Sequence, residues 1–429
     1  MAVVAGAIAF GALSLTLGLV LSRPRLGTWR VSAAVGAFPA VLLLFLTGVL
    51  HASDAMRAVQ VLWRPLVTLA SIMMTTSVAH RLGIFDRITR SIEIRTRGPV
   101  MPAFTMVYVV GAATAAVFNN DAAILLLTPI VVPVIKRLYP RRQHLAVPFA
   151  FAVFMSAGVA PLCTSNPMNL VVAEHAGIGF NAYALRMLPV AIAGWIVSYV
   201  MIRVAFRKEL GDTVPARGAE QGSLAPMEAT PTRVLWVVVG MLLAYPVLSY
   251  FDAPVWIAAL AGAALVCGLG LRARSLTPEV IAQGVAWDVL GFLFCIFLTA
   301  LALENVGFTH AIAGVYATAS GRPMQVALVG GVSAVGSAVV NNHPMAMLNA
   351  LSIASLQGDP TWRIFAALVG GDIGPRLLPT GSLAGLMWIE MVRKLGVDVS
   401  AREFVRVGFI VAIPALAASL AVLALERAL

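Results

Sequence analysis

The sequence predicts an all-α polytopic membrane protein made of two inverted halves with broken helices at the midplane, and three observations carry that prediction. Sixty per cent of the 429 residues are apolar and only 11% are charged, a balance that water cannot solvate in a compact domain, so lipid is the main solvent. Charge-free apolar runs recur along the whole chain, for example 2–22, 31–53, 99–120, 234–251, 253–271 and 407–425, each near the roughly 20 residues that span hydrocarbon. The one long polar stretch, 207–232, falls close to the midpoint and divides the chain into 1–206, a linker, and 233–429. Helices satisfy their own backbone hydrogen bonds in lipid, and the ten-residue alternation of a membrane barrel is absent.

In the first half, apolar spans at about 2–22, 31–52 and 60–79 precede a basic segment, 80–98. No positively charged segment precedes 2–22 and no clear cleavage site follows it, so it is expected to be retained. An apolar pair follows at 101–118 and 122–135, then a span at 145–174 interrupted near Pro161 to Asn169, then one at 187–206. The second half repeats the order: 234–251, 253–271 and 288–304, a pair at 324–340 and 344–356, an interrupted span at 362–394, and a last span at 404–425. The segments 122–135 and 344–356 are short for a crossing and follow polar breaks, so each pair is expected to form a re-entrant hairpin. Five spans and one hairpin per half make the second half enter from the opposite side, the inverted repeat of secondary transporters.

Charge tests this topology. The net charge of +11 does not point to nucleic acid, because Lys and Arg sit in short clusters between apolar runs rather than on one basic face. With the spans above, all of the 30 basic residues but Arg57, Arg64, Arg186, Arg322, Arg363, Arg376 and Arg427 fall on one side, which is therefore predicted to be the cytoplasm, with both termini outside. The three cysteines, Cys163, Cys267 and Cys295, lie in apolar segments without metal-ligand spacing, arguing against a disulfide framework or zinc site. No cofactor is expected.

Four polar breaks interrupt apolar surroundings, and they form two matched pairs. Val117-Phe118-Asn119-Asn120 answers Val339-Val340-Asn341-Asn342, and Thr164-Ser165-Asn166-Pro167 answers Pro379-Thr380-Gly381-Ser382. A break inside a membrane is tolerated only where its freed backbone groups meet protein, ligand or a water-filled cavity, and half-helix N-termini there favour oxygen-rich or anionic ligands. A lone Asn-Asn is adequately explained as a turn; its recurrence in both halves favours a site. Asp121 and Asp372 lie deep in apolar sequence, where an ionisable group marks a substrate or proton site. Asp372 has a structural alternative, an ion pair with Arg376 four residues on, whereas Asp121 has no basic neighbour and is the preferred proton site. His343 is a third titratable candidate or a neutral hydrogen-bonding group. Asp288, Glu304 and Glu174 lie near span ends and are read as reaching out to water, and Met73, Met74, Met168, Met345 and Met347 as packing.

Phe118-Asn119-Asn120-Asp121-Ala122-Ala123, Leu127-Thr128-Pro129-Ile130 and Ser165-Asn166 through Asn169, with Asn341-Asn342-His343-Pro344, Gly371-Asp372-Ile373-Gly374-Pro375 and Pro379-Thr380-Gly381-Ser382-Leu383-Ala384, resemble the two halves of the ArsB arsenite permeases of the ion transporter superfamily. The resemblance runs over nearly the whole chain. It implies efflux of arsenite and antimonite across the bacterial inner membrane in exchange for protons, with binding between two hairpin tips and two broken helices. It also implies, for some members, a soluble ATPase partner. Carried over by position, the substrate residues are Asn119, Asn120, Thr164, Ser165, Asn166, Asn169, Asn341, Asn342, Thr380, Gly381 and Ser382, and the proton-coupling residues Asp121, Asp372 and His343. Two positions depart from the pattern: His343 stands where an apolar residue is expected, and Gly371 where some members have cysteine.

Arsenic's preferred soft site is a set of convergent thiolates, which three scattered cysteines do not supply; Cys163, in the first break, is the one candidate contact. Hydroxyl and amide groups that both donate and accept suit a neutral trihydroxide better. Two other readings compete. A sodium-coupled anion or dicarboxylate transporter, or a sodium/proton antiporter of the same superfamily, would show similar breaks. An intramembrane aspartyl protease using Gly370-Gly371-Asp372 and Asp121 leaves the repeated Asn-Asn tips unexplained.

Overall fold

A computed structural model describes residues 2–22, 24–26, 29–95, 100–211, 227–273 and 276–426. Most of the predicted linker and the basic residues Arg23, Arg97, Arg217, Arg274 and Arg427 lie outside the described residues. Apart from a two-residue antiparallel ladder pairing Arg25 with Arg30 and Leu26 with Trp29, the described chain is helical. The first half holds α1 (Ala2–Ser22), α2 (Ala33–Leu46), α3 (Ala52–Arg81), α4 (Ile84–Arg95), α5 (Val100–Val117), α6 (Asn120–Leu138), α7 (Ala146–Ser156), α8 (Pro167–His175), α9 (Phe180–Ala205) and α10 (Arg207–Leu210). The second holds α11 (Ala229–Tyr250), α12 (Trp256–Arg272), α13 (Pro278–Gln283), α14 (Trp287–Asn305), α15 (Phe308–Ala317), α16 (Arg322–Val340), α17 (Asn342–Ala354), α18 (Thr361–Ile373), α19 (Leu383–Lys394) and α20 (Ala401–Leu425). Among the described residues, eight helices are long and apolar enough to cross a membrane.

Large apolar side chains stay exposed in i, i+4 pairs: Phe38 and Leu42 on α2, Ile196 and Val200 on α9, Leu243 and Val247 on α11, Phe409 and Ile413 on α20. That spacing lines one helical face, and an apolar face left outward is suited to lipid. The opposite stripe packs inward, as Val407, Val411 and Ala415 do on α20. The centre of the molecule is α7 and α17: every residue from Pro148 to Ser156 and from Asn342 to Ile353 is buried. On α7, Phe154 stacks on Trp388 of α19 with ring centroids 4.8 Å apart.

Helix pairing is reciprocal between the halves. The pair α2 with α14 is answered by α12 with α3, α5 with α7 by α16 with α18, and α6 with α19 by α17 with α8; α9 packs along α20. The α16–α18 contact depends on small residues, since a Cβ at Gly370 would stand 2.2 Å from the Gly330 carbonyl oxygen and one at Gly374 equally close to that of Ala334. Small residues at four-residue spacing let backbones approach where lipid supplies no hydrophobic drive.

Several expected boundaries shift. The span expected at 60–79 begins at Ala52, because Asp54 accepts a hydrogen bond from the His51 backbone N–H at 2.8 Å and turns the polar stretch into a helix start. The segment 122–135 extends to Asn120–Leu138, 19 residues, so the first pair has arms of nearly equal length, while α17 is short at 13. The basic segment 80–98 contains α4, and α13 and α15 are short helices that hydropathy alone did not mark. Both interrupted spans are found as expected: α7 and α8 flank a 3-10 turn, Cys163–Ser165, and α18 and α19 flank two, Gly374–Arg376 and Pro379–Gly381.

Candidate functional site

Each of the four breaks ends in a helix N-terminus capped by a residue that the repeat picked out. Asn119 Oδ1 accepts from the Ala122 N–H at 2.6 Å, Asn166 Oδ1 from Met168 at 3.2 Å, Asn341 Oδ1 from His343 at 3.3 Å, and Ser382 Oγ from Gly385 at 2.9 Å. Asn and Ser suit this position because a short side-chain oxygen satisfies one of the free N–H groups of the first turn. The caps start α6, α8, α17 and α19, whose positive ends thus share one region.

That region is a cavity of about 710 Å3 lined by Asn119, Asp121 and Ala122 of the first tip, Pro167 of the first break, Asn342 and His343 of the second tip, and Ser382, Leu383 and Ala384 of the second break. Further wall comes from Met73, Thr76, Ser77, His80 and Arg81 of α3, Asp86 of α4, Gln283 and Gly284 at the end of α13, and Ala286, Asp288 and Val289 around the start of α14. Arg81, Asp86 and Gln283 stand at helix ends beside the segments carrying Arg87, Arg90 and Arg272, so the mouth lies toward the basic side. A larger recess of about 800 Å3 among α2, α3, α12 and α14 is lined almost wholly by apolar groups, Phe38, Leu66 and Phe294 among them, and its Ser71 hydroxyl is already bonded to the Val67 carbonyl.

The two breaks are tied together behind the cavity by Asp372. Its carboxylate accepts from the Ala160 N–H at 2.9 Å, the Asn166 amide at 2.7 Å and the Asn169 amide at 2.8 Å. Asn169 also donates to the Tyr183 hydroxyl at 2.7 Å, which donates to the Ala160 carbonyl at 3.2 Å. The i, i+4 spacing of Asp372 and Arg376 does not produce the side-chain ion pair weighed from sequence: Arg376 Nη1 donates to the Asp372 main-chain carbonyl, which the end of α18 leaves free. Asp121, in contrast, is half-buried on the cavity wall, and its carboxylate makes no hydrogen bond among the described residues.

The second tip is strained where the first is not. Asn341 has φ 76° and ψ 149°, whereas Asn119 is fully extended at φ −179°. Positive φ with extended ψ is a region that only glycine visits freely. The Asn342 Oδ1, Asn341 Nδ2 and His343 Nε2 atoms are buried without a hydrogen-bond partner among the described residues.

Of the predicted site residues, the cavity therefore collects Asn119, Asp121, Asn342, His343 and Ser382. The others support it from behind. Asn120 donates to the Gly158 carbonyl at 3.2 Å, Ser165 to Ala116 at 2.7 Å and Thr380 to Ala338 at 3.4 Å; Thr164 and Cys163 are buried; and Gly381 packs so closely that a Cβ would meet Pro375 at 2.5 Å. The sequence reading missed the α3 wall, although the run Thr75-Thr76-Ser77 in an apolar span was a signal. It also misread one acid. Asp288 does not reach for water but accepts from the Ala33 and Ala34 N–H groups at 2.9 and 2.7 Å, capping α2 from the other half. Glu304 lies at a partly exposed span end as expected, and there it pairs with Arg57 of α3 at 2.7 Å.

A helical multi-pass chain in which two hairpin tips and two broken helices meet at one polar cavity defines a membrane transporter, and solved structures agree on the fold. The YdaH transporter of Alcanivorax borkumensis matches with a TM-score of 0.58 at 14% identity, over 99% of this chain and 97% of that one. MtrF of Neisseria gonorrhoeae, described with a class of antimetabolite efflux pumps, matches at 0.61 and 14%, over 98% and 94%. The family model for the arsenical pump membrane protein, ArsB, matches residues 8–426. An arsenical pump membrane protein of Escherichia coli is 30% identical over 96% of this chain and 97% of its own length, and one of Yersinia enterocolitica is 29% identical over the same shares. The chain belongs to the ArsB family.

Proposed function

We propose that this protein exports trivalent arsenic and antimony, as their neutral hydroxides, in exchange for protons by alternating access. The observation that carries the reading is the convergence of four capped helix N-termini and one unpartnered carboxylate, Asp121, on a single cavity. A trihydroxide both donates and accepts hydrogen bonds. Its oxygens suit the positive helix ends, and its O–H groups suit Asn342 Oδ1 and the Asp121 carboxylate. No cysteine lines the cavity, so recognition uses oxygen and nitrogen rather than sulfur, and release stays easy.

The halves 1–206 and 233–429 act as inverted repeats, a reading supported by their reciprocal helix pairing. The basic side is the cytoplasm, so the cavity faces inward and receives substrate there. Substrate binding displaces a proton from Asp121 to the cytoplasm; after the site turns outward and releases substrate, Asp121 takes a proton from the outside. The proton gradient supplies the energy, and the scheme needs no ATPase.

An anionic substrate would want a fixed cation among the N-termini. Among the described residues, the only arginine on the cavity wall is Arg81, at the rim, while Arg376 is buried behind it. The test is arsenite accumulation in an efflux-deficient bacterium expressing the chain, with and without a protonophore. Accumulation falls with the protein present and recovers when the gradient is collapsed. Accumulation that ignores the protonophore but depends on sodium would replace the reading by sodium-coupled transport.

A further inference from the structure

Behind His343 lies a second, much smaller internal cavity of about 10 Å3, lined by Leu62, Met168, Val171, Leu293, Ile296, His343 and Met347. Its only heteroatom-bearing side chains are one imidazole and two thioethers. His343 and Met347 are four residues apart and so share a face of α17, while Met168 comes from α8, which packs against α17.

The state of the imidazole follows from its neighbours. The His343 backbone N–H donates to the Asn341 side-chain oxygen at 3.3 Å, which fixes that atom as the oxygen of the amide. The same oxygen stands 3.3 Å from His343 Nδ1, and since an amide oxygen only accepts, Nδ1 carries the hydrogen. In the neutral ring Nε2 is then a bare lone pair. It is buried and has no partner among the described residues. An Nδ1–H held by an acceptor, with Nε2 free, is the second-shell arrangement of a metal-ligating histidine.

Size and charge choose the ligand. A cavity of about 10 Å3 holds one water-sized sphere, but a water there would find only one strong hydrogen-bonding partner, and a metalloid hydroxide does not fit. Sodium, magnesium and calcium want oxygen ligands, which this lining lacks. A divalent ion among neutral donors leaves its full charge uncompensated, and because the desolvation cost grows with the square of charge a monovalent ion bears roughly a quarter of it. Imidazole with thioethers is a donor set for soft monovalent metals.

We propose that His343, Met168 and Met347 form a binding site for one soft monovalent cation, copper(I) or silver(I). The ion joins the second hairpin tip to the first broken helix. His343 also lines the substrate cavity, so the cation site adjoins that cavity; it stands whether or not the chain transports arsenic.

The test is silver(I) titration of the purified full-length protein in detergent, in a background with Cys163, Cys267 and Cys295 changed to alanine so that thiols do not compete. One silver ion binds per chain. Met168→Leu and Met347→Leu, which preserve volume, each weaken binding at least about tenfold, and Asn341→Ala, which frees the ring, about 10–100-fold. Met345→Leu, whose side chain does not line this cavity, leaves binding unchanged. Silver that does not bind the cysteine-free protein, or binds the two leucine variants as tightly as the parent, overturns the proposal.

Discussion

Asp121 and Asp372 are both carboxylates inside the membrane region, yet the fold treats them oppositely. Asp372 has three donors on its carboxylate and ties the first break to the second; Asp121 faces the cavity, and its carboxylate receives no hydrogen bond among the described residues. The sequence marks both as buried carboxylates and separates them only by the Arg376 four residues after Asp372. The lesson is that burial in apolar sequence identifies a costly group, while the hydrogen-bond inventory says whether its cost is offset by structure or retained for function.

The largest expected effect separates the two. Asp372→Ala strands the Ala160 N–H and the amides of Asn166 and Asn169, and is expected to destabilise the protein by about 3–5 kcal/mol, whereas Asp121→Ala changes stability by less than about 0.5 kcal/mol. Thermal unfolding of both variants in detergent checks this; equal losses would erase the distinction. The next effect compares helix contacts in the two halves. Gly370→Ala drives a Cβ against the Gly330 backbone, while Gly111→Ala meets the Ser156 Oγ at the same 2.2 Å, a side-chain end that can rotate away. The first is expected to cost about 1–3 kcal/mol and the second clearly less, read as a difference in melting temperature.

The tips differ more gently. Asn341→Gly relieves positive-φ strain of order 1 kcal/mol, offsetting its lost cap, whereas Asn119→Gly loses a cap on an extended residue and costs a few tenths of a kcal/mol; the same unfolding assay ranks them. The smallest effect lies in the loop before α18. The Thr361 hydroxyl and backbone N–H, then the Arg186 and Arg363 charges, hold Asp359 below its ordinary carboxylate value of 3.8. A lowered folded-state value adds stability that is present above the unfolded value and is lost as pH falls through the folded one. Asp359→Asn should therefore lower the melting temperature slightly at neutral pH, and the difference should fade as the pH falls below the ordinary carboxylate value.

Much of this was legible. Apolar run length gave the spans, and the matched pairs Asn119-Asn120 with Asn341-Asn342 and Thr164-Ser165-Asn166 with Pro379 to Ser382 located both tips and both breaks, because a polar break in lipid leaves a strong local signal. Contacts between the halves were not legible. Asp288 capping α2 and Glu304 pairing with Arg57 join residues roughly 250 positions apart, and no local pattern announces such a partner. The α3 wall escaped for a related reason: Thr76 already bonds the Ile72 carbonyl and reads as an ordinary helix residue until its neighbours are in place.

The central claim is that Asp121 carries the exchanged proton. The direct measurement is proton movement in proteoliposomes loaded with a pH-sensitive dye, after an arsenite gradient is imposed, for the wild type and Asp121→Asn side by side. The wild type should move protons against arsenite, and Asp121→Asn should move none while remaining folded by its melting temperature. Undiminished arsenite-driven proton movement in Asp121→Asn would contradict the account.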